Sequence, residues 1–271
     1  MLDNKFLVAI DLDGTLLRDD KTISTESIKF LKEFEKQGNY VVIASGRAPR
    51  SILKYQKLLD LNSPFIAYNG AYGRSLHTDF KLDYQISFKD VISFYQDNIS
   101  KTIDLMMCES KDKIFLDRVD SKLITFFEPM DMEIVNGDIS QILKENVYSC
   151  IVKIKAPLNE NQEKIKQYFS KFNNLEIRFW SNCDYAEMFI KTVSKGHTLE
   201  KIVEICKVLK ENVLVFGDAE NDLEMLSMFK NSFLMKNGLD ELKAKVNYVT
   251  KKDNNHDGVI FEIKNFIKNK L

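Results

Sequence analysis

Short apolar runs, each closed by an acidic or small polar residue, set the rhythm of the first seventy positions. Phe6-Leu7-Val8-Ala9-Ile10 runs into Asp11, Tyr40-Val41-Val42-Ile43-Ala44 into Ser45-Gly46, and Phe65-Ile66-Ala67-Tyr68 into Asn69-Gly70. Unbroken, branched runs of this length predict buried strands. Helix signals lie between them. Ser24 can cap a helix whose apolar stripe is Ile28, Leu31 and Phe34 and which Gly38 ends, and Pro49 suits the first turn of the next helix. Strand–helix alternation with short links predicts a parallel sheet with helices on both faces.

The rhythm changes near Leu82. From there to about Ile190 the runs come in adjacent pairs, Ile103–Met107 with Lys113–Leu116 and Leu175–Phe179 with Tyr185–Ile190. Ser149–Ile154 precedes a helix over Asn159–Phe172. Paired strands with interspersed helices predict an α+β module built on an antiparallel sheet. After Thr192 the first rhythm returns, with a helix from Ser194 to about Leu209, a strand over Val213–Phe216, a helix around Asp222–Phe229, short runs at Phe233–Met235 and Tyr248–Val249, and a final helix near Gly258–Ile267. The expected organisation is an α/β core made of residues 1–82 and 192–271, interrupted by an inserted α+β domain over 83–191.

Composition narrows the function classes. A chain of 271 residues is long for one core, which fits two domains. Lys and Arg balance Asp and Glu to a net charge of -1, so no basic field favours nucleic acid or an anionic membrane as a partner. No apolar run approaches the ~20 residues that span a bilayer. Cys108, Cys150, Cys183 and Cys206 are widely spaced, which reads as reduced thiols in a cytoplasmic protein. Oligomeric state is not legible.

Candidate chemistry sits at the ends of the apolar runs. Asp11 and Asp13 are two apart at the end of a strand, so their carboxylates point the same way and repel. A metal site or an acid/base pair accounts for that cost; a strand-ending Asp-Gly turn with Asp13 capping a loop accounts for it equally on this segment alone. Ser45 ends the second strand, and Asp218, with Asn221 and Asp222 just beyond, ends the strand after the insertion. Open α/β sheets place ligands at these carboxyl ends. Asp11, Asp13, Asp218 and Asp222 together would form an anionic pocket whose hard oxygens suit Mg²⁺. Lys195 follows Ser194 in the first turn of a helix, where a cation opposes the helix dipole. Alone it reads as a surface lysine; beside an Mg²⁺ pocket, a helix N-terminus and an ammonium jointly holding an anion become the better explanation.

Four ordered motifs carry a family resemblance: Asp11-Leu12-Asp13-Gly14-Thr15-Leu16-Leu17, Ala44-Ser45-Gly46-Arg47, Ser194-Lys195-Gly196, and Gly217-Asp218-Ala219-Glu220-Asn221-Asp222. With them the chain resembles the haloacid dehalogenase superfamily, and within it the Cof-type phosphatases with a type IIB cap. Softer matches are Asn69-Gly70-Ala71 and Asp257-Gly258-Val259. The resemblance implies a Rossmann-like core with an inserted cap, and an Mg²⁺-dependent phosphatase working through an aspartyl-phosphate. It implies that Asp11 is the nucleophile and Asp13 the general acid and base. Mg²⁺ would be held by the Asp11 carboxylate, the Asp13 main-chain carbonyl and Asp218, with Asp222 behind them. Ser45, Gly46, Lys195 and Asn221 would hold the phosphoryl group.

Arg47 is a candidate substrate contact or, equally, a salt-bridge partner; Asn69 is a further candidate contact. The inserted domain would choose the substrate, with Arg178, Trp180, Asn182, Asp184, Tyr185 and Glu187 as candidates, Arg178 and Asp184 foremost. Phe179 and Phe189 read as core, and Trp180 and His197 read better as packing residues than as ligands for substrate. The segment Met235-Lys236-Asn237-Gly238 departs from the family's usual Met-Gly-Asn-Ala. The expected substrate is a small phosphorylated metabolite, sugar phosphates first, with no nucleic acid or membrane partner. A phosphomutase with the same nucleophile, or a non-catalytic phospho-ligand sensor, are the alternatives.

Overall fold

The computed structural model describes residues 5–127, 129–180 and 183–270, with the side chains of 126 and 127 left aside. Asn182, one of the candidate substrate contacts, lies outside the described residues. The chain divides into two compact units, Met1–Asp83 with Ser194–Leu271, and Tyr84–Val193.

In the first unit β1 (Leu7–Ile10), α1 (Thr25–Lys36), β2 (Tyr40–Ile43), α2 (Pro49–Leu58), β3 (Phe65–Ala67), β4 (Tyr72–Arg74) and β5 (Lys81–Asp83) come first. The second unit supplies α3 (Phe88–Asn98), β6 (Ile103–Glu109), β7 (Lys113–Leu116), α4 (Ser121–Phe127), β8 (Glu133–Asn136), α5 (Ile139–Ile142), β9 (Ser149–Ile154), α6 (Leu158–Phe169), β10 (Leu175–Phe179) and β11 (Tyr185–Ile190). The first unit then resumes with α7 (Lys195–Cys206), β12 (Val213–Gly217), α8 (Leu223–Met228), β13 (Asn231–Leu234), β14 (Tyr248–Val249) and α9 (Gly258–Lys270).

The first unit is built on a five-stranded sheet in the order β14-β13-β12-β1-β2, with every neighbouring pair parallel. β1 lies inside the sheet between β12 and β2, and all four of its residues are buried, as its unbroken apolar run requires. Leu7, Ala9, Val42, Val213 and Val215 pack with Leu199, Ile202 and Val203 of α7 and Met225 and Leu226 of α8. Ser24 caps α1, its Oγ accepting from Ser27 N–H at 2.9 Å. Its hydroxyl donates to Asp257 Oδ1 at 2.5 Å, which ties the helix start to the turn before α9.

The third apolar run departs from the simple alternation. β3 joins the main sheet at the Ala44–Ile66 bridge and otherwise forms an antiparallel three-stranded sheet, β3-β4-β5. Tyr68 and Asn69 (φ 49° and 53°) and Gly70 (φ 105°) take left-handed conformations, and that turn sends the chain back on itself.

The second unit carries a six-stranded sheet, β10-β11-β9-β6-β7-β8, antiparallel except for the parallel pair β7–β8. On one face Met106, Val152, Ile154, Ile177 and Met188 pack against Phe94 of α3 and Ile165 and Phe169 of α6. On the other, Leu105, Met107, Ile151 and Tyr185 meet Leu123 of α4. Among the described residues no helix is long and apolar enough to cross a membrane.

Candidate active site

The carboxyl ends of β1, β2 and β12, with the start of α7, bring the candidate residues of the first unit together. Asp11 follows β1 directly, and its N–H donates to the Phe216 carbonyl at 3.1 Å, so β12 fixes where β1 ends. The Asp11 carboxylate is buried, and its Oδ1 accepts from Lys195 Nζ at 2.6 Å. The same ammonium donates to Asp222 Oδ1 at 2.7 Å. Lys195 is 0% exposed, so the surface reading of this lysine is excluded. Burial works against its charge, but Asp11 and Asp222 more than offset that and raise its pKa.

Ser194 holds the start of α7. Its Oγ accepts from His197 N–H at 3.3 Å and pairs with His197 Nδ1 at 2.8 Å, so His197 is occupied at the helix cap. A Cβ on Gly70 would collide with the Ser194 carbonyl, and Thr198 Oγ1 donates to the Gly70 carbonyl at 2.8 Å. The left-handed turn after β3 therefore seats the helix that presents Lys195.

Asp222 works on both sides of the site. Its Oδ2 accepts from the N–H groups of Asp218 and Ala219 at 2.9 and 3.2 Å, which shapes the turn leaving β12. Thr15 Oγ1 donates to Asp218 Oδ1 at 3.0 Å. Burial, then the nearby Asp222 charge, push Asp218 up to about 7. Burial is also the main reason Asp11 stands well above the usual carboxylate range, with Asp222 and Asp218 adding to it and Lys195 opposing.

Asp13 has different surroundings. It is partly exposed and accepts from Arg47 Nε at 2.6 Å, Arg47 Nη2 at 2.8 Å and Lys21 Nζ at 2.7 Å. Burial opposes ionisation here, yet hydrogen bonds from Arg47 and Lys21 prevail and lower its pKa to about 2. Two carboxylates two residues apart are thus held in separate electrostatic settings.

Ser45 is buried, and its Oγ accepts from Arg47 N–H at 3.2 Å. Asn69 N–H donates to the Ser45 carbonyl at 3.1 Å, and Asn221 Nδ2 donates to Asn69 Oδ1 at 2.9 Å. A Cβ at Gly46 would stand 2.9 Å from Asn69 Oδ1, so the absence of a side chain lets Asn69 approach.

The donor chemistry fits a hard divalent cation. Oxygens of Asp11, Asp218 and Asp222 lie within 4.8 Å of one another. Burial and mutual repulsion raise Asp11 and Asp218 despite Lys195, a cost that a bound divalent cation would relieve. Asp222 spends its oxygens on Lys195 and on main-chain N–H groups, so Asp11 and Asp218 are the better-placed donors.

Arg178 and Asp184 belong to the second unit. Arg178 pairs in register with Glu187 and lies over the Phe189 ring at 4.7 Å. The Asp184 carbonyl accepts from Ile154 N–H at 2.6 Å, and its carboxylate lies 3.9 Å from Lys153 Nζ. Trp180 packs with Tyr185, ring centroids 6.0 Å apart.

Three site neighbours carried no assigned role at the sequence level: Thr15, Lys21 and Asn237. Thr15 stands inside the Asp-Gly-Thr segment and could have been suspected. Asn237, whose Nδ2 donates to the Gly14 carbonyl at 2.7 Å, lies in the departing Met-Lys-Asn-Gly segment. Nothing local marks Lys21.

A model of the haloacid dehalogenase-like hydrolase family matches residues 8–263. The chain is 31% identical over 273 residues to the 5-amino-6-(5-phospho-D-ribitylamino)uracil phosphatase YitU of Bacillus subtilis, covering 96% of this chain and 97% of that protein. It is 28% identical over 273 residues to YcsE of the same organism, which bears the same activity in its name, covering 96% and 95%. A solved haloacid dehalogenase-like hydrolase from Bacteroides thetaiotaomicron superposes with a TM-score of 0.80 at 21% identity, covering 97% of this chain and 99% of that one.

Proposed function

This chain belongs to the haloacid dehalogenase-like hydrolase family and is a phosphoric monoester hydrolase, and from that premise we propose that it uses Mg²⁺ and an aspartyl-phosphate to dephosphorylate small metabolites, sugar phosphates first. The observation that carries the reading is the separation of the two carboxylates. Asp11 is buried against Lys195 beside further carboxylates, and Asp13 is held ionised by Arg47 and Lys21.

In this reading an Asp11 oxygen attacks phosphorus as the bond from phosphorus to the ester oxygen breaks. Asp13, protonated from solvent once its pairing with Arg47 and Lys21 loosens, gives that proton to the departing oxygen. It then takes a proton from water, which attacks phosphorus and breaks the bond to Asp11, freeing phosphate. The pairing with Arg47 and Lys21 favours the carboxylate form that the second half needs; the first half needs that pairing to loosen. Lys195, with Ser45, the Gly46 main chain and Asn221, would hold the phosphoryl oxygens. Mg²⁺, held by Asp11, Asp218 and the Asp13 carbonyl, would offset negative charge between nucleophile and phosphoryl group.

We read the unit Tyr84–Val193 as the part that selects substrate, with Arg178 and Asp184 as candidate contacts. Support for a phosphorylated polyol or sugar comes from the relatives, whose named substrate carries a 5-phospho-D-ribityl group. The four free cysteines support a cytoplasmic setting.

The test is phosphate release from sugar phosphates, nucleotides, flavin mononucleotide and pyridoxal phosphate, with Mg²⁺, with chelator, and with Asp11→Asn in parallel. Mg²⁺-dependent turnover that Asp11→Asn abolishes is the expected result. Hydrolysis surviving in Asp11→Asn would refute the nucleophile, and a silent panel from folded protein would refute the substrate class.

A further inference from the structure

We infer that Asn237 is a positioning residue, whose side-chain amide holds the Gly14 carbonyl and so couples the loop of Asp11 and Asp13 to the loop of Asp218. The inference rests on the proposed phosphatase site and extends it to a residue outside the four motifs. The turn after β13 already grips the Asp218 side through its backbone. Met235 N–H donates to the Gly217 carbonyl and Leu239 N–H to the Asp218 carbonyl, each at 2.9 Å. The Asn237 side chain reaches the other way, its Nδ2 donating to the Gly14 carbonyl at 2.7 Å. Its Oδ1 accepts from Asn254 N–H at 3.1 Å, which fixes the orientation of the amide. Asn254 in turn donates to the Leu17 carbonyl at 3.0 Å, at the far end of the same loop.

The group being held is the one with the most freedom. Gly14 sits at φ 77°, and glycine crosses between backbone regions at little cost. A peptide carbonyl there, exposed to water and unheld, would rotate, carrying the Asp13 peptide on one side and Thr15 on the other. Thr15 is the residue that donates to Asp218. The Asn237 side chain is exposed, and the turn keeps its backbone bonds without it. The amide therefore matters little for packing and much for where the Gly14 peptide points. Small displacements of reacting groups lower the rate by more than the strength of a single hydrogen bond would suggest.

The experiment compares Asn237→Ala and Asn237→Asp with the unaltered protein. Replacement by Asp keeps an acceptor for Asn254 N–H and removes the donor to Gly14, so it separates the two hydrogen bonds. kcat and KM with Mg²⁺, direct Mg²⁺ titration by calorimetry, and thermal melts are measured on each. Both variants are expected to lose about tenfold in kcat with KM changed less than about threefold, to bind Mg²⁺ more weakly in the Ala variant, and to melt within a few degrees of the parent. Unchanged kcat in either variant overturns the inference. So does an Asp variant that works while the Ala variant fails, because anchoring to Asn254 would then be the role. Loss of kcat that follows a large fall in melting temperature, or failure to fold, also overturns it in favour of plain stability. An inert parent protein would instead refute the phosphatase reading on which it stands.

Discussion

Replacing Lys195 by Met removes one charge from the middle of a buried triad and keeps most of the side-chain volume. The ammonium lies 2.6 Å from Asp11 Oδ1 and 2.7 Å from Asp222 Oδ1, with no exposure to water. At an effective dielectric of ~20, each pairing contributes roughly 6 kcal/mol of attraction. Dehydration of the ammonium and repulsion between the carboxylates offset most of that sum. Removing one partner of a buried ion pair costs about 3–5 kcal/mol, because the remaining charge is left uncompensated. Here two carboxylates are left, so Lys195→Met should sit at the upper end. In a folded unit of this size that corresponds to a fall of roughly 10–20 °C in melting temperature. The assay is thermal unfolding with chelator present, so that no cation substitutes for the lysine. The pH dependence carries a sign. A buried carboxylate without its ammonium has a folded pKa above its unfolded value, so its penalty is absent at low pH and grows as pH rises through that window. The gap between variant and parent should be wider at neutral pH than in acid. A gap under ~1 kcal/mol in chelator, or one that widens on acidification, would refute the account of Lys195 as the cation that neutralises the site.

Three further outcomes follow from other parts of the molecule. Gly14→Ala places a side chain at φ 77° and against the Asp218 carboxylate; it should cost at least ~1–2 kcal/mol in a melt and weaken Mg²⁺ binding in a calorimetric titration. Adding Mg²⁺ at about a hundred times its dissociation constant should stabilise the protein by about 2.7 kcal/mol, a gain that Asp218→Asn abolishes and chelator reverses. Ser24→Ala removes the cap of α1 and its bond to Asp257; it should cost about 1–2 kcal/mol while kcat stays within a factor of two.

Much of this was legible in the chain because apolar runs and the residues that end them are local signals. The runs that became β1, β2 and β12 each end beside a residue that the fold brings to the site: Asp11, Ser45 and Asp218. The turn after β3 was less legible, because left-handed backbone at Tyr68 and Asn69 is not something those residue types announce. Helix α3 went unread, since its stripe of Val91, Phe94 and Tyr95 is short and lies between weakly patterned segments. Lys195 looked like a surface lysine on its own. Its burial follows from partners 184 and 27 residues away, which no window can see. The same holds for Arg47, whose sequence reading was divided and whose place against Asp13 is set by the fold. Arg178 is a polar side chain on β10 and Asp184 one in the bend before β11, and nothing in a strand or turn pattern says which of them meets a ligand.

The position of β1 inside the sheet, between β2 and β12, has a consequence during synthesis. Its partner β2 emerges from the ribosome soon after it, but β12, which pairs along its other edge, lies some 200 residues further on. At ~5–20 residues per second this is roughly 10–40 s. For that interval a strand of four wholly apolar residues has one edge of hydrogen-bonding groups unclaimed, a template for pairing with a neighbouring nascent chain. The inserted unit emerges within the same interval and, having its own sheet and core, can fold before the sheet that brackets it is closed. Newly made chains of this protein should therefore depend on protection of β1 until β12 has left the ribosome.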